Sequence, residues 1–101
     1  MSLKHARYLL TQMRRSDLKH ALMEVLEERM RQEEKWGEQN HSPEKWVAIL
    51  LEEVGESCKE MLDTPRHLGK PNDNLRAELI QVAAVALAML ECHDRNNWSN
   101  L

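Results

Sequence analysis

Four polar side chains set in apolar surroundings are the residues of this chain most capable of chemistry. Glu53 and Glu56 stand three positions apart in one stretch, and Glu78 and Gln81 stand three apart in another. Residues at that spacing share a face of an α-helix, so each pair points one way. Like charges so placed repel by a few tenths of a kcal/mol per pair, and the repulsion grows where water is excluded. Glu78 and Gln81 are the only strongly polar side chains in a segment otherwise made of Leu79, Ile80, Val82, Val85, Leu87, Met89 and Leu90. A buried carboxylate costs several kcal/mol unless a cation or a basic partner relieves it. Two antiparallel helices that each present such a pair can surround a hard cation with oxygen. Magnesium suits that donor set, because it prefers oxygen and keeps waters that phosphate oxygens can replace. Manganese is the second candidate.

The elements that must carry these pairs follow from caps and periodicity. Ser16 or Asp17 caps a helix running to about Trp36, with Leu18, Leu22, Val25 and Leu26 on one face. Residues 1–15, with Tyr8, Leu9, Leu10 and Met13, form an N-terminal arm or a short helix. Ser42-Pro43-Glu44 is a helix start: Ser42 caps, Pro43 fills the first turn, and Glu44 meets the positive end of the dipole. That helix extends to about Leu62, where Asp63-Thr64-Pro65 stops it, and Asp73 or Asn74 caps a last helix reaching about Asp94.

At about 100° per residue, Trp46, Val47, Leu50, Leu51, Val54, Cys58 and Met61 make a broad apolar face on the helix that carries Glu53, and this face is expected to be core. Glu53, Glu56 and Glu60 border it. The last helix is apolar all round, which predicts burial on every side. A lone domain of 101 residues cannot bury such a helix completely, so the pattern predicts a homodimer or homotetramer. The fold class expected is all-α: an antiparallel bundle of three main helices in a single domain, residues 1–101, completed by oligomerisation.

Composition narrows the function. Charged residues are 31% and the hydrophobic set 42%, with three glycines, three prolines and no phenylalanine, a balance that folds and favours helix. A net charge of −3 with interspersed signs argues against a nucleic-acid partner. The longest apolar run, Leu79 to Leu90, is too short to cross a bilayer. No charged-then-apolar leader begins the chain, and Cys58 and Cys92 read as reduced core thiols. The expected location is the cytoplasm.

These residues carry a resemblance. Glu52-Glu53-Val54-Gly55-Glu56, followed at a distance by Glu78-Leu79-Ile80-Gln81, is similar to the EExxE and ExxD motifs of the MazG-like, all-α nucleotide pyrophosphohydrolases. Lys35-Trp36-Gly37-Glu38-Gln39-Asn40-His41-Ser42-Pro43 resembles the segment leading into the motif helix of that family, and the likeness spans about residues 27 to 92. The resemblance implies that Glu53, Glu56 and Glu78 hold magnesium, that Gln81 stands where the family has aspartate, and that Trp36 and His41 line the base pocket. It implies an enzyme that attacks the α-phosphorus of a (deoxy)nucleoside triphosphate with metal-activated water, releasing pyrophosphate and a monophosphate.

Two features depart from the family pattern. Gln81 removes a negative charge from the metal shell, and the chain ends without the further helix bearing lysine, asparagine and arginine that many relatives lay over the phosphates. Arg66, His67 and Lys70 are candidates to replace it. The alternative is a weakly active or inactive helical oligomer that binds nucleotide or a protein partner. On that reading the acidic stripe is a solvated helix face, and Glu78 with Gln81 is a polar network at an oligomer interface.

Overall fold

A computed structural model describes residues 2–12, 16–63 and 73–98. They form four helices, α1 (Leu3–Thr11), α2 (Ser16–Trp36), α3 (Pro43–Asp63) and α4 (Asp73–Asn96), and no strand occurs among the described residues. The class is all-α. The N-terminal segment is a helix, capped by the Ser2 hydroxyl, which accepts a hydrogen bond from the His5 backbone N–H at 3.1 Å. At α3 the Ser42 hydroxyl accepts from the Lys45 N–H at 3.2 Å, with Pro43 in the first turn as expected. Gly37 ends α2 with φ +71°, its N–H bonded to the Glu33 carbonyl at 2.7 Å. This is a left-handed cap that glycine adopts at little cost.

Helix α4 lies between α2 and α3. Trp46 near the start of α3 packs with Val85, Ala88 and Cys92 of α4, whereas Glu53, two turns later, faces the charge of Glu78 near the start of α4. The two helices are therefore antiparallel. Against α2 the pairing advances in one direction, with Arg76 bonded to Glu24 and Gln81 to Glu28, so α2 and α4 run parallel. Helix α1 packs on α2.

The core is small and centres on Trp46, 2% exposed, with Ile49, Leu50, Met89 and Trp98 against it. Three expectations need correction. The broad apolar face of α3 is not core throughout: Val47, Leu51, Val54 and Met61 are exposed, Leu51 at 62%. The arc is wider than one neighbour can cover, and α4 takes only the edge that carries Trp46, Leu50 and Glu53. Cys58, on the uncovered part, is exposed, while Cys92 is fully buried. Helix α4 is not buried on every side, because Leu79 and Leu90 point away from both neighbours and Leu90 is 59% exposed. No described helix is long and apolar enough to cross a membrane.

Candidate functional site

A cavity of about 180 Å³ opens where α2, α3 and α4 meet. Helix α3 contributes Trp46, Ile49 and Glu53, helix α4 contributes Gln81, Val85 and Ala88, and the end of α2 contributes Gln32, Trp36 and, just beyond it, Gln39. Each set repeats at three or four residues, so each helix turns one stripe inward. The lining is apolar at Trp46, Ile49, Val85 and Ala88, and polar at Glu53, Gln32, Gln39 and Gln81. A hollow with few convergent polar groups is the usual form of a ligand site. A larger hollow of about 700 Å³ lies between α1 and α2, lined by Arg7, Lys19 and His20 among others. It gathers neither the paired carboxylates nor the tryptophans, so the smaller cavity is the candidate.

Glu53 is half-buried, and its carboxyl is held above the ordinary glutamate range, first by burial and then by the negative charges of Glu78, Glu56, Glu52 and Glu28. Other acids nearby have basic partners: Glu24 pairs with Arg76, Glu33 and Glu91 share Arg29, and Glu28 pairs with Arg31 at 2.6 Å. Among the described residues Glu53, Glu56 and Glu78 make no ion pair. No basic side chain among the described residues balances their charge. The carboxylates and the amide offer the oxygen donors that a hard cation takes, but no three His, Cys, Asp or Glu side chains among the described residues are gathered closely enough to hold a metal ion.

Gln81 is engaged at both ends. Its amide nitrogen donates to Glu28 at 2.7 Å, and its amide oxygen accepts from Gln32 at 3.3 Å. The carboxylate of Glu28 can only accept, which sets the amide's orientation. Gln32, only 8% exposed, thus closes a relay from α2 to α4. Glu28 and Gln32 are not singled out by the sequence, which marks only the apolar face of α2. The available signal was their one-turn spacing beside the apolar stripe of Val25.

The expected site residues are brought together in part. Trp36, Glu53 and Gln81 line one cavity, and Glu56 and Glu78 act on Glu53 through their charge. Trp36 stands at the rim, 54% exposed, with the Lys35 ammonium 4.8 Å from its ring centre. His41 is not among the lining residues. Its ring meets Trp46 edge-on at 4.9 Å, and its carbonyl accepts from the Cys92 thiol at 3.6 Å. The basic candidates Arg66, His67 and Lys70 lie outside the described residues.

The loop between α2 and α3 is pinned by a clasp that spacing does not reveal. Arg95 donates to the Gln39 carbonyl and to the Asn40 side-chain oxygen, both at 3.0 Å, and Asn96 donates to that same oxygen at 3.0 Å. The clasp holds Gln39 over the cavity. Compared with known protein families, curated proteins and solved structures, the chain matches none.

Proposed function

We propose that the chain is a cytoplasmic, magnesium-dependent nucleoside triphosphate pyrophosphohydrolase of the MazG-like type, a bundle of three main helices that works as a homodimer or homotetramer. The observation that carries the reading is Glu53: a half-buried carboxylate at a cavity, raised by burial and by four neighbouring glutamates, with no basic side chain among the described residues to balance it. Glu53, Glu56 and Glu78, which are not gathered on one point without an ion, would hold the cation, with Gln81 completing the set and manganese able to replace magnesium. Magnesium held there would neutralise phosphate charge and lower the pKa of water. Water attacks the α-phosphorus, the bond to the β-phosphate oxygen breaks, pyrophosphate leaves, and a glutamate of the set accepts the proton. Trp36 receives the base at the rim, and the cavity, well below the about 300 Å³ at which pockets for drug-sized ligands begin, is sized for one flat ring. His41 supports Trp46 from behind.

A second reading has its own support. Gln81 is tied to Glu28 and Gln32, and the acids are not gathered on one point, which favours a helical oligomer that binds nucleotide or a protein without turnover. Pyrophosphate release across ribo- and deoxynucleoside triphosphates, with and without magnesium, separates the two. The enzyme reading predicts magnesium-dependent release that falls by at least about 10²-fold in Glu53→Gln and in Glu78→Gln while helical circular dichroism is unchanged. Nucleotide binding without product favours the second reading, and equal turnover in both variants overturns the first.

A further inference from the structure

We infer that the cavity between α2, α3 and α4 binds a small primary ammonium ion, whose N–H groups donate to the Gln32 side-chain oxygen and the Glu53 carboxylate while its carbon chain lies along Ile49 and Val85. A relay of one-way hydrogen bonds fixes what the cavity offers. Arg31 can only donate, and it meets Glu28 at 2.6 Å. The Glu28 carboxylate can only accept, so the Gln81 amide turns its nitrogen to Glu28 and its oxygen to Gln32. Gln32 then spends its nitrogen on Gln81 and keeps its oxygen for the cavity it lines. Gln32 is only 8% exposed, and no donor among the described residues reaches that oxygen. The oxygen is nonetheless open to the cavity: among the described residues, the one side-chain nitrogen or oxygen that is both sealed from solvent and unpaired is the indole N–H of Trp46.

An orphan acceptor so deeply buried calls for a donor. Glu53 lines the same cavity as a second acceptor; its carbonyl accepts from the Ser57 hydroxyl at 3.2 Å, but its carboxylate has no hydrogen-bond or ion-pair partner among the described residues. Because α3 and α4 are antiparallel, Glu53 falls at the Gln81 end of the cavity and Trp46 at the Ala88 end. One end therefore takes a charged donor and the other takes hydrocarbon. An alkylammonium ion meets both demands and, unlike a metal ion, needs no three gathered carboxylates, since its N–H groups donate one at a time.

Size and the rim narrow the amine further. A cavity of about 180 Å³ has room for roughly six water-sized groups at about 30 Å³ each, which suits an ammonium head on a short chain such as butyl or pentyl. At the mouth the Lys35 ammonium already lies 4.8 Å from the Trp36 ring centre. A second positive charge on the ligand would meet it there, so a monoamine is preferred to a diamine. Amine binding goes beyond the reaction proposed above and does not rest on it, although an amine and a magnesium nucleotide would compete for Glu53.

Butylamine titrated into the full chain at neutral pH and low salt, in chelator and without nucleotide, is expected to bind saturably and to shift the indole NMR signals of Trp36 and Trp46 more than that of Trp98. Butanol, of the same length without the charge, is expected to bind at least about 10-fold more weakly, as is butyltrimethylammonium, which has no N–H. Putrescine should bind no more tightly than butylamine. Glu53→Gln and Gln32→Leu are each expected to weaken the amine at least about 10-fold with unchanged circular dichroism. Glu28→Gln alters no residue of the cavity wall but lets the relay reverse, so that Gln32 can present its nitrogen instead; it is expected to weaken the amine several-fold and to leave butanol unchanged. No saturable binding, butanol bound as tightly as butylamine, or an affinity untouched by Glu53→Gln and Glu28→Gln overturns the proposal. Hydrolysis is read in none of these titrations, so their failure leaves the proposed reaction standing, and absence of hydrolysis leaves amine binding standing.

Discussion

Glu53 is the side chain whose protonation says most about the site. Its carboxyl titrates higher in the folded chain than in the unfolded one, because burial and then Glu78, Glu56, Glu52 and Glu28 disfavour its charge. A carboxyl raised by folding contributes stability that is fully present below the unfolded value, about pH 4.3, and lost as pH rises through the folded value. At pH 7 and without divalent metal, Glu53→Gln is therefore expected to be more stable than the wild type by about 0.5 kcal/mol, a melting temperature higher by about 2–4 °C. The gain should vanish by about pH 4. Magnesium should then stabilise the wild type and not the variant. A Glu53→Gln chain less stable than wild type at neutral pH in chelator would mean that the carboxylate is already balanced. Gln81 gives a second test. Gln81→Asp puts a carboxylate beside Glu28, removes the donor that bridges them, and is expected to tighten magnesium binding in titration calorimetry. Unchanged affinity would show that this position is not a ligand.

At the scale of elements, the caps decide how the cavity is walled. Ser42→Ala removes the acceptor that starts α3 and is expected to cost about 1 kcal/mol. Gly37→Ala forces a side chain into the left-handed region at φ +71° and is expected to cost about 1–2 kcal/mol, with the added loss of the turn that leads from Trp36 to Gln39. Thermal unfolding checks both. The helix limits were legible in advance because their signals are local: Ser42-Pro43 and Asp73 each act within one helical turn, and α2, α3 and α4 fall within about two residues of the expected limits. Glu53 with Glu56 and Glu78 with Gln81 were legible for the same reason. What was not legible depends on which helix covers which arc. The face of α3 carrying Leu51 and Cys58 reads as core by pattern, and only the position of α4 on one edge leaves it open. Glu28 and Gln32 look like solvated residues until α4 brings Gln81 between them. The clasp of Arg95 on Asn40 joins residues 55 apart, with no periodicity to announce it.

At the scale of the whole molecule, the cavity exists only at the junction of three helices. Helix α4 supplies its apolar wall and Gln81, α3 supplies Glu53, and α2 supplies Trp36 and Gln32. On the proposed function this junction directs water to the α-phosphorus of a nucleoside triphosphate. Turnover in oxygen-18 water with magnesium, followed by mass spectrometry of the products, reads that step directly. The heavy oxygen is expected in the nucleoside monophosphate, with unlabelled pyrophosphate beside it and no product from Glu53→Gln. Label in inorganic phosphate with a diphosphate as co-product, or full turnover in Glu53→Gln, would contradict it.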